Sequence, residues 1–314
     1  MPLFRTYDEF PPVVTTTQNF DDLLVPKDHP GRRPTDTFYV DQAHVLRTHT
    51  SAHQSELLRR GENAFLVTAD CYRRDEIDAS HYPVFHQMEG VRLFAPSELA
   101  SFTAEAVLED LKRTLEGLVR SLLGDVPLRW VDAYFPFTHP SLELEAFFHG
   151  SWLEVLGSGV IHTDVLKLCD RTDRIGWAFG IGIERIAMVL FDVPDIRLFW
   201  TQDKRFLEQF SDGNISNRFK PFSKYPPVYK DITFWCPPGF HENDFCSAVR
   251  DIAGDLVERV QVIDEFTHGK TGRQSRCYRI TYRSMERSLT NTEIDELQQN
   301  VRTHVSQELR YELR

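Results

Sequence analysis

The stretch Phe65–Phe94, FLVTADCYRRDEIDASHYPVFHQMEGVRLF, decides the fold. It opens with a strand-like run, Phe65–Ala69, and closes with another, Val84–Phe94, both rich in aromatic and β-branched residues. Between them lie Tyr72-Arg73-Arg74-Asp75 and a polar loop, so the two runs read as an antiparallel hairpin. Similar runs follow at Leu128–Phe135, Leu142–Phe148 and Trp152–Leu156, separated by hairpin-length gaps. Helical periodicity is clearest over Ala104–Leu123, where Ala106, Val107, Asp110, Leu111, Leu115, Leu118, Val119 and Leu122 form a largely apolar stripe. Ile183–Leu190, opened by glycines, is a second helix. A doubly wound parallel sheet needs a helix after nearly every strand, and these are too few. The fold class is α+β: an antiparallel sheet with flanking helices.

Outward from this body, the apolar periodicity breaks at residues 211–226, SDGNISNRFKPFSKYP. This linker separates a first domain, residues 1–210, from a tail, residues 227–314. The tail reads as strand Val228–Trp235, helix Asn243–Ala253, strands Leu256–Phe266 and Arg276–Tyr282, helix Thr292–Glu308 and a short last strand. That β-α-β-β-α-β order is ferredoxin-like. Alternation puts Tyr278, Ile280 and Tyr282 on one side of their strand and Arg279, Thr281 and Arg283 on the other, with Tyr229 and Trp235 joining the arginines from the first strand. Such a face offers phosphate contacts and stacking surfaces for unstacked bases, or is simply a solvated face.

At 314 residues the chain is long enough for two domains. No stretch approaches the roughly 20 apolar residues of a membrane span. The five cysteines are scattered with no CxxC pair, which disfavours a disulfide framework or a structural zinc site. The formal charge of −11 argues against a broad non-specific nucleic-acid coat. The charge is uneven: residues 1–222 carry −10 and residues 223–314 carry −1. The N-terminal MPLFRTYDEFPP shows neither an apolar signal core nor an Arg- and Ser-rich amphipathic helix.

Two motifs carry chemistry. Arg73 with Phe85 on the returning strand can hold a phosphate on a guanidinium and stack a purine on a ring; alone, this is an ordinary surface hairpin. Gly180-Ile181-Gly182-Ile183-Glu184-Arg185 brings glycines to a strand-to-helix turn, where the backbone can approach a nucleotide, and Arg185 can face phosphates. It is no dinucleotide fingerprint, since Arg185 replaces the third glycine. His49 and His53 share i,i+4 spacing but lack the glutamate of HExxH, and hydrogen-bonded histidines are the better reading.

Together these elements resemble motifs 2 and 3 of class II aminoacyl-tRNA synthetases. His49-Thr50-Ser51-Ala52-His53-Gln54, Phe85-His86-Gln87-Met88-Glu89-Gly90, Tyr134-Phe135-Pro136-Phe137-Thr138 and Trp177-Ala178-Phe179-Gly180 look like blocks of phenylalanyl-tRNA synthetase. The tail is similar to the ferredoxin-fold anticodon-binding domain of its single-chain mitochondrial form. The segment that would form most of motif 1, its helix included, is missing ahead of Pro2, and the region after Phe94 is shorter than in the family.

The resemblance implies a ligase that forms phenylalanyl-adenylate from phenylalanine and ATP and passes phenylalanine to tRNA(Phe). It gives Arg73 and Arg185 the catalytic roles, on the α-phosphate and the far phosphates of ATP. Asp75, Phe85 and His86 join them around ATP, Phe85 stacking the adenine. His49, Ser51, Gln54, Gln87 and Glu89 hold the amino and carboxylate groups, Glu89 pairing with the ammonium. Phe135 and Phe137, read as alternating on a strand, meet the substrate ring, and Gly157, Gly159 and Ala178 leave it room. Such a pocket rejects tyrosine by roughly a hundredfold. Mg²⁺ arrives with ATP, with Glu154 the foremost ligand and Glu143 and Glu145 behind it. Tyr229, Trp235, Arg279 and Arg283 face the tRNA. A monomer in the mitochondrial matrix, away from any membrane, is the implied setting. A non-catalytic binding protein, a phosphorylated amino acid as substrate, and an RNA-binding module using the tail alone are the competing readings. The first conflicts with the intact Arg73, Phe85, Glu89 and Arg185, the second with the two phenylalanines, and the third with the size of the body.

Overall fold

The structure, a computed structural model, describes residues 4–148, 150–221 and 225–314. Residues 222–224 of the expected linker lie outside the described residues. The chain divides into two compact units, residues 1–73 with 84–190, and residues 74–83 with 191–314.

The first unit is built on a seven-stranded sheet. Its strands are β1 (Arg5–Tyr7), β2 (Ala64–Tyr72), β3 (Val84–Phe94), β4 (Leu128–Ala133), β5 (Thr138–Phe148), β6 (Ser151–Ile161) and β7 (Ile175–Gly182). They lie in the order β1-β2-β3-β7-β6-β5-β4. Every pairing is antiparallel except β1 with β2 at one edge. Strand β7, expected only as the strand that ends at the Gly180–Arg185 turn, occupies the centre of the sheet. The expected strand Leu128–Phe135 stops at Ala133, because Pro136 cannot donate to a ladder. Phe135 and Phe137 therefore lie in the β4–β5 connection and not on a strand.

Alternation along β7 assigns the two faces of the sheet. Trp177, Phe179 and Ile181 are buried on the side covered by helix α2 (Ala104–Leu123), which packs Val107, Leu111, Leu115 and Val119 against them; the short helix α1 (Gln54–Arg59) precedes it in the chain. Asp110, the polar member of that stripe, accepts from Trp177 Nε1 at 2.9 Å and from Arg92 Nη1 at 3.0 Å. The Thr103 hydroxyl caps the start of α2, and Gly124, at φ 81°, lets the chain leave its end. On the opposite side Ala178 joins Leu57 and Leu58 of α1, Phe65, Val67 and Val91. Beyond Ala178 that same face continues as Gly180 and Gly182, opposite Glu89 and Gln87 of β3. Helix α3 (Ile183–Phe191) begins where β7 ends.

In the second unit, β8 (Val228–Trp235), β9 (Val257–Thr267), β10 (Gln274–Tyr282) and β11 (Glu312–Leu313) form an antiparallel sheet ordered β9-β10-β8-β11. Helices α4 (Glu242–Ala253) and α5 (Asn291–Gln307) complete the β-α-β-β-α-β order. Ile232, Phe234, Tyr278, Ile280 and Tyr282 fill the core with Phe245 and Val301. Residues 74–83 are part of this unit: Ile77 is buried in its core, and Val260 N donates to Ile77 O at 3.0 Å. No described helix is long and apolar enough to cross a membrane.

Candidate active site

The central strands β3, β7 and β6, with the β4–β5 connection, enclose a cavity of about 270 Å³ in the first unit. His49, Ser51, Arg73, Gln87, Glu89, Phe135, Phe137, Glu154, Gly157 and Ala178 line it, joined by Thr50, Thr138, Ser158, Phe179 and Gly180, to which sequence reasoning gave no role around the amino acid. Periodicity holds the signal for Gly180, two residues from Ala178 on a strand. Thr50 lies inside a quoted block.

One end of the cavity is polar. Glu89 is buried, and Gln54, 0 % exposed, donates to its Oε1 at 2.8 Å. Burial pushes the Glu89 carboxyl up to about 7, only partly offset by the Ser51, Gln54 and Thr50 side chains beside it. Among the described residues Glu89 Oε2 and Gln54 Oε1 are buried acceptors with no hydrogen-bond partner. An unsatisfied buried carboxylate oxygen suits a cationic donor with several N–H groups. His49 is held neutral, its pKa pushed down to about 3 by burial and then by the Arg73 charge, so it can offer a hydrogen bond but no positive charge. His53 stacks on Phe10 at 4.2 Å and faces Arg47 Nη1 through Nε2 at 3.0 Å, a structural arrangement.

The apolar end is formed by Phe135 and Phe137, stacked with centroids 6.1 Å apart. Gly157 and Gly159 were expected to leave room for a substrate ring, and the structure corrects this. A Cβ at Gly157 would lie 2.7 Å from Phe135 Cζ, and one at Gly159 would lie 2.5 Å from Pro140 O. Both glycines make room for the protein's own packing. A Cβ at Gly180 meets nothing within 4 Å, and Gly180 faces the cavity. The open floor is therefore at Gly180.

The cationic groups come from both flanks. Arg73 donates from Nε to Thr48 O at 2.8 Å, and its guanidinium stands over the Phe85 ring at 5.0 Å. Arg185, at the start of α3, lies 3.6 Å from Glu154 across an ion pair. The backbone N–H of His86 donates to Glu184 Oε2 at 2.7 Å, and its Nδ1 lies 2.5 Å from Glu184 Oε1, so a glutamate the sequence reading gave no role ties β3 to α3. Phe85, His86, Gln54 and Arg185 do not line the cavity. Asp75, expected at ATP, belongs to the second unit, where its carbonyl accepts from Arg250 Nη2 at 3.0 Å.

The expectation of Glu154 as foremost metal ligand meets its pairing with Arg185. Glu145 stands opposite Glu154 in the β5–β6 register, and burial and then Glu154 and Glu145 raise the pKa of Glu143. Crowded carboxylates of this kind suit a hard divalent cation. Among the described residues no group of three or more His, Cys, Asp or Glu is placed to hold a metal ion.

On the tail's open face Tyr229 is exposed, and Arg279 makes a bidentate pair with Asp231 at 2.8 Å for both contacts. Arg283 was expected beside them. It pairs with Glu258 at 3.1 Å and lines a separate cavity with Leu198 and Met285. Trp235 lies at the other end of the sheet, with Arg273 and Arg314 over its ring at 4.7 and 5.4 Å.

An antiparallel sheet that gathers two arginines, a buried carboxylate and a glycine-lined turn into a helix defines a class II aminoacyl-tRNA synthetase core. Residues 4–210 match the family described as tRNA synthetases class II core domain (F), to which the chain belongs, and residues 223–314 match the ferredoxin-fold anticodon binding domain. The chain is 57% identical to the chloroplastic/mitochondrial phenylalanine–tRNA ligase of Arabidopsis thaliana, over 99% of its own length and 73% of that protein. It is 55% identical to the mitochondrial phenylalanine–tRNA ligase of Mus musculus, over 96% of its length and 73% of that protein. A phenylalanine–tRNA ligase alpha subunit of Nostoc punctiforme is 42% identical over 65% of this chain and 61% of that one.

Proposed function

We propose that the chain is a phenylalanine–tRNA ligase that forms phenylalanyl-adenylate and transfers phenylalanine to tRNA(Phe). The observation that carries this reading is the single cavity in which the unpaired acceptor of Glu89, the rings of Phe135 and Phe137, and Arg73 converge. A substrate ammonium would satisfy Glu89 Oε2, which Gln54 supports from behind, while Ser51 and Gln87 supply further polar contacts. The side chain would then lie against the two phenylalanines, beside Ala178. Arg73 would neutralise charge as the carboxylate attacks the α-phosphate, Phe85 beside it would stack the adenine, and Arg185 and His86 would meet the outer phosphates.

ATP and a divalent metal are the cofactors of class II synthetases; we assign Mg²⁺, with Glu143 and Glu154 as the residues that would hold it. The ion would neutralise phosphate charge. Residues 1–210 act as the catalytic domain, 211–226 as linker and 227–314 as the tRNA-binding domain, in a monomer of the mitochondrial matrix. The test is ATP–pyrophosphate exchange run with phenylalanine, with tyrosine and without amino acid. Phenylalanine should drive exchange, with tyrosine roughly a hundredfold less effective in kcat/KM. Exchange without preference for an aromatic amino acid would refute the reading.

A further inference from the structure

The second unit contains an open cleft of about 960 Å³ at the end of its sheet where β8 and β10 carry Trp235 and Gln274. Arg273, Arg276 and Arg310 line it, opposed by the carboxylates of Glu242 and Glu312. Arg273 pairs with Glu312 at 2.6 Å, both side chains about half exposed or more, a pair that a phosphate can replace at little cost. Arg276 is engaged by Glu265 at 2.8 Å and Glu242 at 3.6 Å. Arg310 has no ion pair among the described residues. The Arg273 and Arg314 guanidiniums stand over the Trp235 ring, and Arg314 also covers Phe266 at 4.4 Å. Guanidinium planes on aromatic rings present flat, cationic surfaces on which bases stack and phosphates pair.

We propose that this cleft, and not the Arg279–Arg283 end of the sheet, seats the unpaired loop of the tRNA. The inference rests on the ligase reading above and gives its RNA partner a location. At the other end Arg279 is held in both forks by Asp231 and Arg283 is held by Glu258, so each would have to leave a partner to meet a phosphate. At the Trp235 end Arg310 needs no such release.

The test compares the full chain with Arg273→Gln/Arg310→Asn, Arg273→Lys/Arg310→Lys and Arg279→Gln. Asparagine is chosen because residue 310 has φ 57°, where it is the better-tolerated side chain. Binding of a tRNA(Phe) transcript, and of a short RNA hairpin with an open loop against a blunt RNA duplex, is titrated over salt. The neutral double variant should bind tRNA at least tenfold more weakly and show a log K against log salt slope shallower by about 1.4, for two lost phosphate contacts on single-stranded RNA. The lysine pair should keep the parent slope, Arg279→Gln should change affinity less than threefold, and the parent should prefer the looped hairpin. Parent-like affinity and slope in the neutral double variant overturn the proposal, as does equal loss in the lysine pair, a greater effect of Arg279→Gln, or a preference for the duplex. Phenylalanine-dependent exchange by the parent, without RNA, reports the underlying reading separately.

Discussion

Glu89 shows how a single side chain can set a pH profile. Its carboxyl is raised to about 7 by burial, above the 4.5 of an unburied glutamate. The folded chain thus binds the proton more tightly than the unfolded one. The stability this contributes is complete below about pH 4.5 and is lost as pH rises through about 7. Ammonium binding has the opposite sign, because only the ionised carboxylate pairs with it. KM for phenylalanine should therefore fall about tenfold per pH unit on the acid side of 7 and level off above it. Glu89→Gln should remove that dependence and raise KM roughly ten- to a hundredfold, the worth of one charge-assisted hydrogen bond. A pH-independent KM in the parent protein contradicts the assignment. The glycines allow a second comparison. Gly180→Ala adds a methyl group to open space in the cavity, so the melting temperature should hold while kcat/KM for phenylalanine falls. Gly157→Ala drives a Cβ against Phe135 and should lower both.

Elements were legible wherever a period ran uninterrupted. Ala104–Leu123 and Val84–Phe94 have the bounds that alternation and helical spacing set, and Asp110 explains itself once Trp177 and Arg92 are seen to bond to it. Only the end of strand β7, at the turn into α3, was legible, because Ile175–Gly182 carries three glycines and so lacks the continuous aromatic and β-branched run of the other strands. Phe135 and Phe137 were misread as strand residues because they alternate, although the proline between them breaks the ladder. Within the site, Gln87 and Glu89 lie on the strand whose bounds alternation set. Partners that meet only through tertiary packing, such as Glu184 with His86 or Phe135 with Gly157, could not be placed from sequence. The α2–sheet contact supplies the prediction at this scale. Asp110→Ala leaves the half-sealed Arg92 and the buried indole N–H of Trp177 unpaired, and should cost about 3 kcal/mol in urea denaturation. Asp110→Asn, which retains an acceptor, should cost less. Equal midpoints for Asp110→Ala and the parent would show that this polar contact does not anchor the helix.

At the scale of the whole chain, the two units are not consecutive in sequence. The hairpin that joins β2 to β3 leaves the first unit at Arg73 and returns at Val84, and the ten residues between belong to the second. Sequence reading took them for a polar loop, since Asp75, Glu76 and Asp78 surround one isoleucine. That isoleucine, Ile77, is 5 % exposed and packs in the core with Ile232, Phe245 and Val257. Its carbonyl accepts from Val260 N, and the carbonyls of Asp75 and Glu76 accept from Arg250. The core of the second unit is thus incomplete without a segment lying some 150 residues upstream of β8 by number. Ile77→Ala in the full chain should cost about 2–4 kcal/mol, through lost transfer energy and a residual cavity. The loss should be local to the second unit. Hydrogen exchange can separate the units, because amides exchange by the opening of the unit they belong to. Protected amides of Val228–Trp235 should exchange roughly thirtyfold faster or more, while those of Ile175–Gly182 keep the parent rate. Equal acceleration in both strands would mean that the units open together and that residues 74–83 are not integral to the second alone.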